Sequence, residues 1–337
     1  MLALKVYCSV SYTNLLKNDP TPATNWTRTI KYGITALATY YVLTHDTMTT
    51  THTVTAFPLG NADSTRIDLD GGEKILVDFA DVSDEDDASD KRVNLAEALR
   101  EDLDDAGRND YDVVAFTHID RDHVGGSSEF FHLKHAKKYQ GDDRVRINTL
   151  WVPAAAILEK GIEGDSGVIR QEARHRLLEG EDIRVFSSPG LLDDWLRKKG
   201  INPEDRKHLI TDAGSCVPEF SLKDNGLEVF VHSPHASRTE DDELLNRNRD
   251  SLALQATFSA GGQKTRMHFF SDLTHEELND IVRITEYHDK YNSGNRAKRL
   301  RWDVTHLPHH TSYRSIGPKK GKDETKPVEP CVRDSTV

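Results

Sequence analysis

Apolar and polar residues alternate with a period of two over Thr51-His52-Thr53-Val54-Thr55-Ala56-Phe57, Ser64-Thr65-Arg66-Ile67-Asp68-Leu69 and Lys74-Ile75-Leu76-Val77-Asp78-Phe79. Alternation broken at Gly60-Asn61 and Gly71-Gly72 predicts a β-meander. The unbroken apolar run Val113-Val114-Ala115-Phe116 reads as a buried strand, and further strands are predicted at 146–153, 227–232, 251–258 and 265–270. Helical spacing recurs at Val93, Leu95, Ala96, Leu99 and Leu103, then at Ile169, Ala173, Leu177 and Leu178, and at Leu191, Leu192, Trp195 and Leu196. Residues 154–205 are predicted mostly helical, and a basic helical stretch is predicted from Gly126 to Lys138. A helix over 274–287 starts near Ser271 or Thr274, with Glu276 and Glu277 in its first turn. Strands towards both ends, with helices between and after, predict an α/β fold of two sheets packed face to face with helices outside.

The first 47 residues differ, being rich in Thr and Tyr and poor in acid. Their apolar segment, Ile30 to Leu43, is too short and too interrupted to span a bilayer, and no basic start with a small-residue cleavage site marks a signal peptide. Met48 begins an ordinary-looking protein start, so 1–47 is expected to be a leader of uncertain order or an over-extended start. The main domain is expected at 48–315, with 132–226 as a helical insertion within it. Residues 316–337 read as a charged, Pro-containing tail expected to lack order.

The chain of 337 residues is long enough to bury a full core. Its net charge of -12 offers no general attraction to nucleic acid or an anionic membrane, so a polyanionic substrate needs a local basic groove or a metal charge. A mean hydropathy of -0.63 marks a strongly polar surface. Cys8, Cys216 and Cys331 stand far apart, which argues against a disulfide framework and against a thiolate zinc site. A reducing cytoplasm is the expected compartment, with no membrane partner.

The candidate chemistry lies directly after the 113–116 strand, in Thr117-His118-Ile119-Asp120-Arg121-Asp122-His123-Val124-Gly125-Gly126. Imidazole and carboxylate side chains suit a divalent metal. With His118 and Asp120 on one side of the loop and Asp122 and His123 on the other, two cations can sit side by side, about 3.5–4 Å apart as in metal-assisted hydrolysis. At these His and Asp frequencies the spacing arises by accident in about one such chain in a hundred. The alternative is a loop of solvated charges. Asp272, at the end of an apolar strand, either caps the next helix or faces a metal. His309 and His310 form an adjacent pair at another strand end, a pattern that alone is more often structural.

In their order along the chain these segments resemble the metallo-β-lactamase superfamily, and within it the hydrolase domain of ComEC-type competence proteins, over about residues 54–315. The opening turn is similar to Gly60-Asn61-Ala62-Asp63-Ser64, and the strand ending in Asp to Leu76-Val77-Asp78. The central loop matches Thr117 to Gly126, with Asp120 where the wider superfamily has His. Asn248-Arg249-Asp250-Ser251, Ser271-Asp272 and His309-His310-Thr311-Ser312 match the later motifs, with Ser271 and Thr311 in place of Gly. The resemblance implies an αββα sandwich of two mixed sheets with helices outside, and a dinuclear hydrolase using a metal-bound hydroxide. It assigns His118, Asp120 and either His232 or Asn248 to one metal, Asp122, His123 and His310 to the other, and Asp272 to both. Zinc ranks first and manganese second for such a donor set.

By the same resemblance Asp122 and His309 are the catalytic candidates, with His309 contacting substrate or protonating the leaving group. Asp63 and Asp78 would orient ligand histidines and water from behind, with Asn248 as a further supporting position. The leading expectation is a phosphodiester substrate, nucleic acid or nucleotide-like, for which Lys134-His135-Ala136-Lys137-Lys138 and Arg296-Ala297-Lys298-Arg299-Leu300-Arg301 offer positive charge. Each run also reads as a plain solvated face. The alternatives are a metal-dependent carboxylic ester, thioester or lactone hydrolase, and a non-catalytic partner module of a larger bacterial assembly.

Overall fold

The computed structural model describes residues 4–9, 51–84, 86–87, 89–236, 247–291, 296–312, 315 and 317. The larger sheet begins with β1 (Leu4–Ser9), β2 (Thr51–Ala56), β3 (Thr65–Asp68) and β4 (Lys74–Val77), paired antiparallel in that order. It continues in parallel through β5 (Asp110–Ala115), β6 (Arg146–Pro153), β7 (Ile183–Phe186) and the short β8 (Ile210–Thr211). Parallel neighbours need crossover connections. Helices supply them: α1 (Leu95–Asp105) before β5, then α2 (Arg121–Val124) and α3 (Ser127–Phe130) before β6. α4 (Ala154–Leu158) and α5 (Gly164–Glu179) precede β7, and α6 (Gly190–Lys198) precedes β8. The smaller sheet is antiparallel across β9 (Leu227–Ser233), β10 (Ala253–Ala260) and β11 (Gln263–Phe269). After α7 (His275–Tyr291), β12 (Val304–His306) joins β11 in parallel.

Strand alternation builds the layers. Ile75 and Val77 of β4, Val113 and Ala115 of β5 and Trp151 of β6 are buried against Val229, Val231, Leu254, Ala256 and Phe269 of the smaller sheet. Their neighbours Leu76, Val114, Leu150 and Val152 face the other way, into a core shared with Leu95, Leu99 and Leu103 of α1 and Ile169, Ala173 and Leu177 of α5. On the far side Ala253 and Phe270 pack with Leu278 and Ile281 of α7. The order is helix, sheet, sheet, helix, an α/β sandwich of two mixed sheets.

Local chemistry explains the helix ends. Asn94 caps α1 by accepting the N–H of Glu97 at 2.9 Å, worth about 1 kcal/mol. Glu277 accepts the N–H of Thr274 at 3.1 Å, so Thr274 rather than Ser271 starts α7 and Asp272 has no capping role there.

Several expectations change. The stretch 126–138 is not a basic helix: α3 ends at Phe130, Phe131 bridges to Val145, and Lys137–Tyr139 form a 3₁₀ turn. The backbone N–H groups pair outside a helix, that of His132 with Val145 O at 2.8 Å and that of His135 with Glu172. Residues 154–205 are mostly helical as expected, in α4, α5 and α6, but they also contain β7, because Gly180 ends α5 at a φ of 90° and the buried Ile183-Arg184-Val185-Phe186 run follows. Residues 132–226 accordingly contribute β6, β7 and β8 to the larger sheet and are not a helical addition to it. Of residues 1–47, those outside Leu4–Ser9 lie outside the described residues, as does most of 316–337. Among the described residues no helix is long and apolar enough to cross a membrane.

Candidate metal centre

Five connections converge at one end of the sandwich. They are the β2–β3 loop with Asp63, the ends of β4 and β5 with Asp78 and residues 117–123, the end of β11 with Asp272, and the segment after β12 with His309 and His310. Backbone bonds lash them together: Asp63 N–H to Asp122 O at 3.1 Å, Phe79 N–H to His123 O at 3.0 Å, Leu252 N–H to Thr117 O at 2.8 Å and His309 N–H to Ser271 O at 2.8 Å. Asp78, Ser271, His309 and His310 all have positive φ, between 48° and 59°. Non-glycine residues held there cost of order 1–3 kcal/mol each, so the surrounding bonds must fix them.

Two groups of donor atoms result. Asp63, His123, Asp272 and His310 form one, and His118, Asp122 and His123 the other, each with its atoms within 4.8 Å of one another. His123 belongs to both. Its Nδ1–H donates to Asp78 Oδ2 at 2.9 Å, which leaves Nε2 facing Asp272 Oδ1 at 3.2 Å. Around His310, Nε2 meets Asp122 Oδ2 at 3.1 Å and Nδ1 lies 3.4 Å from Asp63 Oδ2. Asp272 Oδ2 is also 3.7 Å from His310 Nε2 and 3.9 Å from His309 Nε2.

A hydroxyl relay fixes His118. Ser271 donates to Thr117 Oγ1 at 2.7 Å and Thr117 donates to Asp78 Oδ2 at 2.7 Å, so each hydroxyl has spent its single proton. His118 Nδ1, 3.2 Å from Ser271 Oγ, must then carry the hydrogen, and its Nε2 is the bare nitrogen. That Nε2 faces Asp120 Oδ2 at 3.7 Å and Asp272 Oδ2 at 3.9 Å.

The electrostatics follow from burial and from these pairings. Burial and the neighbouring His123 hold His118 well below the usual histidine range, so its ring is neutral. Burial also opposes charge on His123, but Asp78 and Asp272 outweigh it and raise its pKa well above that range. Against the same burial, His123, His118 and His310 keep Asp272 ionised. The hydrogen bond to Asp122 raises His310.

Buried His118 Nε2, His123 Nε2, Asp272 Oδ1, Asp63 Oδ2 and His310 Nδ1 have no hydrogen-bond partner among the described residues. Buried nitrogens and carboxylate oxygens aimed at one another fit a cation between them, which would take the place of the protons that the carboxylates otherwise hold on His123 and His310.

The expected ligands separate accordingly. His118, Asp122, His123, Asp272 and His310 come together, and Asp63, expected behind the ligands, stands among them. Asp78 supports His123 and Thr117 from behind. Asp120 lies outside both groups, its Oδ1 bonded to Arg247. His232 also lies outside them, buried on β9 against Phe230 and His268 with ring centroids 5.0 and 5.4 Å away. The Asn248 backbone carbonyl accepts the Ser251 hydroxyl at 2.7 Å. Residues the sequence reading passed over are Thr117 and Ser271 as the relay, His306 with its Nε2 3.4 Å from Asp63 Oδ1, and Arg247. The replacement of Gly by Ser at 271 was the available signal for the relay.

No protein-family model and no curated protein matches the chain. Solved structures similar to it include the metallo-β-lactamase SMB-1 bound to 2-mercaptoethanesulfonate, at 13% identity, 76% coverage of each chain and a TM-score of 0.34. MEM-A1, a subclass B3 metallo-β-lactamase from a soil metagenome library, is 12% identical over 76% of each chain with a TM-score of 0.35. GOB-18 from Elizabethkingia meningoseptica is 10% identical over 74% of this chain and 78% of that one, with a TM-score of 0.33.

Proposed function

We propose that this chain is a divalent-metal-dependent hydrolase of phosphodiesters in a nucleic acid or nucleotide-like substrate. The observation that carries the metal reading is the convergence of Asp63, His118, Asp122, His123, Asp272 and His310 with unpartnered buried donor atoms. Those six residues would hold the metal. The mixture of three carboxylates and three imidazoles ranks zinc first and manganese second. Bound metal would supply Lewis-acid activation of water and of the substrate oxygen.

The chain's own residues do the rest. Asp78 sets the His123 ring, and the Ser271–Thr117 relay sets the His118 ring. Beside Asp122 opens a cleft of about 500 Å³ lined also by Arg92, Arg121, Asp165 and the Gly125-Gly126 backbone. Arg92 is committed to Asp90 at 2.8 Å, whereas exposed Arg121 makes no ion pair among the described residues. A cation adjoining the donor cluster supports an anionic substrate, and Arg121 would bind a phosphoryl oxygen. His309, partly exposed at the edge of the cluster, would protonate the leaving oxygen through Nε2. The two basic runs give less support. Lys134 is paired with Asp182, and Arg299 is paired with Glu228 and stacked on Phe230 at 4.6 Å.

Elemental analysis combined with hydrolysis of bis-p-nitrophenyl phosphate and of p-nitrophenyl acyl esters tests the reading. Bound zinc or manganese, turnover of the diester, and a loss of at least about 100-fold in Asp122→Ala are expected. Turnover confined to acyl esters would replace the phosphodiester assignment with an esterase. Full activity in Asp122→Ala would remove this cluster from the chemistry.

A further inference from the structure

Asp120 stands at the second ligand position of the His-x-Asp-x-Asp-His loop, yet the structure gives it a different partner. Its Oδ1 accepts a hydrogen bond from Arg247 Nη1, while Oδ2 faces His118 Nε2 at 3.7 Å. Arg247 is fixed from behind by Glu159, whose two oxygens accept from Nε at 3.0 and 2.9 Å, with Nη2 reaching Oε1 at 2.6 Å. The guanidinium therefore lies between two carboxylates on the His118 side of the cluster. Arginine keeps its charge at any physiological pH, and its planar fork suits this two-carboxylate arrangement. His232, the imidazole expected to complete a first ion's ligands, is instead packed against Phe230 and His268.

We propose that Arg247 takes the place of one of the two cations, so that the chain holds a single divalent ion rather than a pair. This rests on the reading of the cluster as a hydrolytic metal centre. The guanidinium occupies Asp120 Oδ1 and shares its one positive charge between Asp120 and Glu159, so a divalent ion using the same Asp120 carboxylate would have a fixed cation next to it. The one ion draws its ligands from the two donor groups that share His123. Glu159 has a defined part: it anchors the guanidinium so that the charge stays against Asp120.

Calorimetric titration of the metal-stripped full chain with zinc alone, checked by elemental analysis after gel filtration, provides the test. Wild type and Arg247→Lys are expected to bind one equivalent. Arg247→Met and Arg247→Gln are expected to bind a second, at least about tenfold tighter than any second binding by wild type. Adding Asp120→Asn to either variant should return the count to one, which ties the gain to that carboxylate. Circular dichroism verifies that each variant is folded, and two different neutral replacements guard against a packing defect in one of them. Two tight equivalents in wild type, or one in both neutral variants, would overturn the substitution of cation by arginine while leaving a metallohydrolase intact. No zinc bound by any protein would overturn the metal centre itself, and this inference with it.

Discussion

His123 gives its Nδ1–H to Asp78 Oδ2 across 2.9 Å, and the same carboxylate accepts both the N–H and the hydroxyl of Thr117 at 2.7 Å. One buried carboxylate thus orients a ring directly and, through Thr117 and Ser271, a second ring. Asp78→Asn replaces an acceptor-only group with one that carries two hydrogens, so His123 can no longer be held in one tautomer. Zinc affinity should fall by about 10–100-fold, measured by competition with a chromophoric chelator. Unchanged affinity would show that the ring needs no such guide.

Arg121 is the exposed cation beside Asp122 in the 500 Å³ cleft. Arg121→Ala is expected to raise KM for an anionic diester by about tenfold, with kcat and the KM of a neutral ester little changed, since an exposed charge-assisted contact is worth about 1–2 kcal/mol. Steady-state kinetics on both substrates decides the point, and equal losses on the two would exclude a role in reading charge.

Burial lowers His268 from 6.5 to about 4. Between those values the unfolded chain binds the proton and the folded chain does not, so stability rises with pH across the window and is lost as pH falls through it. The contribution is about 3 kcal/mol. His268→Leu should flatten that part of a urea-denaturation pH series by about this amount, whatever its effect at neutral pH. An unaltered slope would mean that the folded protein charges this ring freely.

Glu172 is buried between His135 Nδ1 at 2.9 Å and Arg176 Nε at 2.7 Å, and despite burial these partners hold it down at about 2. Glu172→Gln strands the buried Arg176 guanidinium and should cost about 3–5 kcal/mol in chemical denaturation. A loss under about 1 kcal/mol would mean that the three backbone carbonyls around Arg176 suffice without the carboxylate.

Local signals carried much of this architecture and distance hid the rest. Val113 to Phe116 and the dense run Thr117 to His123 announce themselves because strand and ligands are contiguous. The layers follow from alternation such as Ile75, Leu76 and Val77 facing opposite cores. β7 was concealed by the helical patterns flanking it, since four buried residues in a row suit either element. Asp272 and His310 were legible only through their order along the chain, but Asp63 looked like a supporting residue because its reach to His310 depends on a loop conformation. Arg247 left no trace: its partners Asp120 and Glu159 lie 127 and 88 positions away, and nothing in its own neighbourhood marks it.

The backbone bond from Leu252 to Thr117 and the hydroxyl bond from Ser271 to Thr117 join loops belonging to different sheets. The centre therefore works as a rivet through both leaves of the sandwich. Losing the grip of either leaf scatters the donors, which makes ion retention a sensitive gauge of whether the whole body of the protein is intact.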